Sequence, residues 1–176
     1  MDSLKKYLEN HPSDLKNWLD QFPWESFETE ITIDEDKVER VVVAKKVTLQ
    51  TNAEITGLLI CQDAEIGEGA EIHGTMVCGN GMIGKDAECN YLISRIIEIG
   101  EDAEIRSAII LESLKVENGA EVDELEILES TFIDLHNEGI IKKEARLPVQ
   151  DLNKAIGQRL EIVLETAIRE LEALNR

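Results

Sequence analysis

Aromatic side chains are scarce in this chain: two Trp, two Tyr and three Phe among 176 residues. Tyr7, Trp18, Phe22, Trp24 and Phe27 all precede residue 28, so the core that the rest of the chain builds is aliphatic. Cysteine is scarce too. Three cysteines do not make a disulfide framework and suit a reducing compartment. Basic residues number 18 against 37 acidic ones, a net charge of -19. The stretch 47–133 carries 18 acidic and 4 basic groups, a field that repels phosphate backbones and anionic membrane surfaces, so nucleic acid is excluded as a partner. No segment is apolar for long enough to span a bilayer, and Met1-Asp2-Ser3-Leu4-Lys5-Lys6 lacks the apolar run of a signal peptide. A cytoplasmic, soluble protein is expected.

What the sequence does have is a repeat. Ala53-Glu54-Ile55, Ala70-Glu71-Ile72, Ala87-Glu88-Cys89, Ala103-Glu104-Ile105 and Ala120-Glu121-Val122 recur at alanine spacings of 17, 17, 16 and 17 residues. Four residues before each alanine stands Leu49, Ile66, Ile83, Ile99 or Val116, and about five after each Ile, Cys or Val comes Ile60, Val77, Ile93, Ile110 or Ile127. Steps of roughly six, six and five do not keep anchors on one helical stripe. Short strands joined by corners do, each coil stacking about 4.8 Å above the last. The expectation is a mainly β protein, a single-stranded parallel β-helix with three faces and about 17 residues per coil, about five coils plus partial ones. Gly67, Gly84 and Gly100 would give the corners their backbone freedom.

The flanks read differently. Leu15, Trp18, Leu19 and Phe22 lie at helical spacing and end at Pro23, so residues 1–29 are expected to form an N-terminal helical cap over the open coil end. The β-helix is expected over 30–140. After Pro148, Leu152, Ile156, Leu160, Val163, Ala167, Leu171 and Leu174 step by 4, 4, 3, 4, 4 and 3. That stripe predicts a long C-terminal amphipathic helix within 147–176, which either packs along the solenoid or pairs with copies of itself as an oligomerisation element.

Chemistry-bearing residues are few. Glu54, Glu71, Glu88, Glu104 and Glu121 each stand between inward-pointing Ala and Ile, so they should face outward and stack into one column. Like charges opposite one another on neighbouring strands repel. Solvent and salt can absorb this; otherwise the column is a candidate site for divalent cations or for a basic protein partner. Cys89 sits at an inward anchor, while Cys61 and Cys78, one period apart, should lie within reach of a disulfide on neighbouring coils and read as reduced core thiols. A zinc site or acyl transfer would need histidines as ligands or base. His73 alone lies in the regular coils, with His11 and His136 far away in sequence, and it reads as a surface residue. Neither a catalytic set nor a cofactor site is expected.

The run Ala64-Glu65-Ile66-Gly67-Glu68-Gly69-Ala70-Glu71-Ile72-His73-Gly74, followed by Gly81-Met82-Ile83-Gly84-Lys85-Asp86-Ala87-Glu88, resembles the repeats of the bactofilins, polymer-forming cytoskeletal proteins. The resemblance covers roughly 47–133. It implies a right-handed β-helix whose ends stack into filaments without nucleotide. The sequence is also similar to the hexapeptide-repeat acyltransferases, which implies a left-handed trimer with a C-terminal helix, although the third step here is five rather than six. Unlike the bactofilins, this chain has amphipathic flanks, which would block end stacking if they cap both ends. The reading is a non-enzymatic structural or scaffolding protein that self-associates as a homo-oligomer or filament, with a trimeric acyltransferase or degenerate relative as the alternative.

Overall fold

Each of the five repeated alanines is fully buried, 0% exposed, and stands directly before a strand. The computed structural model describes residues 19–20, 22, 24–128, 134–148, 150–152, 154–159, 165, 169 and 173. After a 3-10 turn at Trp24–Ser26, the strands are β1 (Glu28–Ile33), β2 (Val38–Leu49), β3 (Glu54–Ile66), β4 (Glu71–Ile83), β5 (Glu88–Ile99), β6 (Glu104–Val116), β7 (Glu121–Leu128), β8 (Asp134–Asn137) and β9 (Ile140–Leu147). All pairings are parallel, in the order β1-β2-β3-β4-β5-β6-β7-β9 with β8 on β6. This is a parallel β-solenoid of about seven turns, more than the five and partial ones expected. The extra turns come from β1–β2 and β8–β9, where the Ala-Glu-Ile phrase is lost but the pairing continues.

The ladder breaks show three faces per turn. Between β3 and β4 the paired stretches are Glu54–Ile55 (face one), Leu58–Cys61 (face two) and Asp63–Ile66 (face three). Residues 56–57 and 62 carry the bends. Two-residue turns join successive coils, and the second turn residue has positive φ each time: Asp36 at 55°, Asn52 at 56°, Gly69 at 66°, Asp86 at 56°, Asp102 at 56° and Gly119 at 77°. Asp, Asn and Gly are the residues that tolerate this conformation.

The glycines expected to free the corners have another reason to be there. Gly67, Gly84 and Gly100 are not among the positive-φ residues. A Cβ on them would lie 2.6, 2.7 and 2.6 Å from the carbonyl oxygens of Leu49, Ile66 and Ile83 on the coil before. They allow close approach of neighbouring coils, not a special turn. Gly74 is tighter still, since a Cβ there would sit 1.6 Å from the Gly57 carbonyl oxygen.

Two apolar layers are present where one was expected. The interior holds the alanines with Leu49, Ile66, Ile83, Ile99, Val116, Ile55, Ile72, Cys89, Ile105 and Val122. On face two, however, the inward columns are Leu59, Met76, Leu92, Ala108, Leu125 and Cys61, Cys78, Ser94, Ile110, Ile127. Ile60, Val77 and Ile93, expected inside, point outward into a second cluster with Val43, Leu58 and Ile109. Ile110 and Ile127 lie inside as expected; the anchor was misplaced on the other three coils because face two is apolar on both sides there, so alternation carries no sign of which side is in.

That second cluster is covered by the chain's own ends: Leu19 and Phe22 from one side of the sequence, Leu152 and Ile156 from the other, with Trp24, Phe27 and Ala155 packed against them. Phe22, Trp24 and Phe27 therefore lie on the flank of the solenoid, while Tyr7 and Trp18 lie outside the described residues. Among the described residues there is no N-terminal helical cap, only helical positions 19–20. The C-terminal helix is short in the same sense, running over 150–152 and 154–159 with single helical positions at 165, 169 and 173. No described helix is long and apolar enough to cross a membrane.

Candidate functional site

Face one carries the repeated glutamates, and the register places them side by side: Glu54 on Glu71, Glu71 on Glu88, Glu88 on Glu104 and Glu104 on Glu121. At strand spacing, two unit charges repel by about 1 kcal/mol in water. Part of the answer stands two residues along each strand. His73 Nε2 lies 2.9 Å from Glu71 Oε2 and 3.4 Å from Glu54 Oε1, bridging two rungs. Lys142 Nζ is 2.8 Å from Glu121 Oε2 and 2.8 Å from Asp123 Oδ1. Those hydrogen bonds, that to Asp123 foremost, raise the Lys142 pKa above its usual value. Both ends of the glutamate column are thus paired internally.

The middle is not. Among the described residues no ion pair reaches Glu88 or Glu104. They line a shallow groove of about 190 Å³ with Asn90, Arg106, Glu121, Asp123 and Lys142. No group of three or more His, Cys, Asp or Glu side chains among the described residues is arranged to hold a metal ion.

Face three bears the larger concavity, about 460 Å³. Its outward columns are Asp63, Asn80, Ile96, Ser113 and Glu65, Met82, Glu98, Lys115, His136. Met82 and Ile96 are 54% and 41% exposed at its centre. Lys115 Nζ ties Glu98 Oε1 at 2.7 Å to Glu117 Oε1 at 2.9 Å. Those carboxylates raise the lysine's pKa, and the lysine in turn lowers that of Glu117.

The cysteines are core residues. Cys61 and Cys78 are register partners and both are buried and free, as is Cys89. Cys78 Sγ lies 3.3 Å from Ser94 Oγ, which itself donates to the Ile96 carbonyl at 3.0 Å. Burial pushes the Cys61 thiol well up and those of Cys78 and Cys89 to about 12. Thiols so protonated make poor nucleophiles and poor metal ligands.

Of the helical residues expected to oligomerise, Leu152 and Ile156 are 2% and 1% exposed against the flank of face two. Leu160, Val163, Ala167, Leu171 and Leu174 lie outside the described residues. The helix is held further by Arg159, whose Nη1 donates to Ser107 Oγ at 3.1 Å and whose guanidinium lies 5.6 Å from the Tyr91 ring centroid. On the same flank Arg95 links Asp20 at 3.5 Å to Glu112 at 3.0 Å.

Sequence reasoning missed the charged neighbours of the glutamate column and two charges in the last turn. Glu144 and Arg146 pair with Leu125 and Ile127, so they occupy inward columns. Val122 pairs with Ile141, a longer step than the repeat, so the period alone does not point to them. Comparison with known proteins adds no assignment: no protein-family model, curated protein or solved structure matches the chain.

Proposed function

We propose that the chain is a non-enzymatic structural scaffold that self-associates, built on the plan that the bactofilin resemblance implies. The observation that carries this reading is the unbroken parallel ladder from β1 to β9. Its coils are joined by two-residue turns, so the surface offers flat faces and strand edges, and such edges are templates for pairing with another chain. The glutamate column gives such a scaffold a face suited to a basic protein partner or to divalent cations. On this reading Leu19 and Phe22 on one side and Leu152 and Ile156 on the other clamp face two. His73, on which an acyl-transfer reading would rest, is held between Glu54 and Glu71 on an open sheet face.

The test is molar mass by light scattering across protein concentration, with negative-stain microscopy, on the full chain. Assemblies larger than one chain support the scaffold. A strict monomer over the whole range, or specific binding of an acyl-coenzyme A thioester, would defeat it.

A further inference from the structure

We infer that the C-terminal end of the solenoid is sealed against a second copy of the chain by an ion pair set into the core register. The inference goes beyond the scaffold reading and rests on it only in taking a second copy as the occupant kept out. An open solenoid end presents two things to a copy of itself, unpaired strand edge and the last residues of its apolar columns, and stacking must bury both.

On face two the inward columns are followed rung by rung. One runs Leu59, Met76, Leu92, Ala108, Leu125 and then Glu144; the other runs Cys61, Cys78, Ser94, Ile110, Ile127 and then Arg146. The side on which these two last residues stand is fixed by their neighbour. Leu147, the register partner of Leu128, packs with Leu128 in the outer cluster, which leaves Arg146 and Glu144 on the inner side by strand alternation. Arg146 Nε lies 3.0 Å from Glu144 Oε1. Their side chains are 52% and 32% exposed, a polar lid over the end of the core.

At the opposite end, beside the buried Val42, the column of Cys61 passes through buried Ala44 and ends on Glu28, the β1 partner of Ala44. Glu39, partner of Ile55, is a second carboxylate in an inward column near that end, on face one. The inward-column charges at that end are both acidic, whereas the C-terminal end carries two of opposite sign joined as an ion pair. A copy stacked on the C-terminal end would strip water from both charges, a penalty that their mutual attraction does not reliably repay. Inward-pointing charge is a known way for sheet proteins to keep edges from joining.

The experiment uses the full chain and restores the apolar columns with the double variant Glu144→Leu, Arg146→Ile, copying the residues one rung below. With a native circular dichroism spectrum, its mass by light scattering should rise about two-fold or more above that of the unmodified chain at equal concentration. The charge-swapped variant Glu144→Arg, Arg146→Glu keeps the pair and should keep the unmodified mass. An apolar variant with native spectrum and unchanged mass overturns the seal, and so does a charge swap that assembles as the apolar variant does. If the double variant loses its native spectrum, Arg146→Ile alone decides in the same way, a rise supporting the seal and no rise overturning it. The two readings fail separately. Unmodified protein that assembles as readily as the apolar variant removes the seal and leaves the scaffold, whereas unmodified monomer beside an assembling variant does the reverse.

Discussion

Faces one and two are made by the same strands, a few residues apart, and their outer surfaces are opposites. Face one displays a column of five glutamates, in register from Glu54 to Glu121, with His73, Arg106 and Lys142 beside it. Face two displays Leu58, Ile60, Val77, Ile93 and Ile109, and hides them under Phe22, Trp24, Leu152 and Ile156. The inside of the coil is alike behind both. Stacking of interior aliphatics and backbone pairing thus sets the solenoid, while the outer column decides what each face meets: water, or the chain's own ends.

Breaking the shared interior should have the largest effect. Leu92 is 0% exposed on a central rung, between Met76 and Ala108. Replacing it by alanine opens a cavity that rigid strands on either side cannot close, and a loss of about 4 kcal/mol is expected by urea denaturation. A loss under 1 kcal/mol would show that the coils relax around the gap, which would undercut the picture of a close-packed interior. Stripping the cover comes next. Phe22 is 3% exposed, with its ring centroid 4.4 Å from Trp24 and 5.5 Å from Phe27. Phe22→Ala should cost about 3 kcal/mol and expose the face-two apolar surface to a hydrophobic dye. Dye binding without loss of the strand circular dichroism signal would confirm that cover and coil are separate layers.

The thiols report on the interior without a substitution. Because the folded-state pKa values of Cys78 and Cys89 are pushed to about 12 by burial, above their unfolded values near 9, folding favours the protonated form. That contribution is whole below about pH 9 and is lost as pH rises toward 12. The urea midpoint should therefore fall over that window, and a thiol reagent at neutral pH should label the cysteines only after unfolding. Prompt labelling of the native chain would place them nearer the surface than the ladder does.

How much of this was legible in the sequence follows from the same contrast. The rung length, the buried alanines, the outward glutamates and the aliphatic columns that begin and end each strand all repeat with the period, and all were read from it. Face two was not, because Leu58-Leu59-Ile60-Cys61 is apolar on both sides and the inward residue is identified only once register is known. The flanks failed for a related reason. An amphipathic stripe such as Leu19 and Phe22 says that a segment covers something apolar, and an open coil end and a second outer layer are equally apolar. Glu144 and Arg146 escaped because they stand where the repeated phrase has decayed, so that nothing local marks them as facing the core.

The smallest expected effect sharpens the comparison most, since it asks what holds face one together when no cover does. Glu88 sits between Glu71 and Glu104 in the ladder, and among the described residues no cation pairs with it. Glu88→Gln removes its repulsion with both neighbours and leaves side-chain size nearly unchanged, so stability should rise by about 0.5 kcal/mol at low salt, with the gain shrinking as salt is added. Glu121→Gln should go the other way, because Lys142 would lose one of its two carboxylates at 2.8 Å. Should Glu88→Gln destabilise instead, the column would be held by something bound outside the chain. A melting temperature raised by calcium or magnesium beyond matched sodium chloride would then identify that agent as a divalent cation, and the absence of such a rise would leave a basic partner protein.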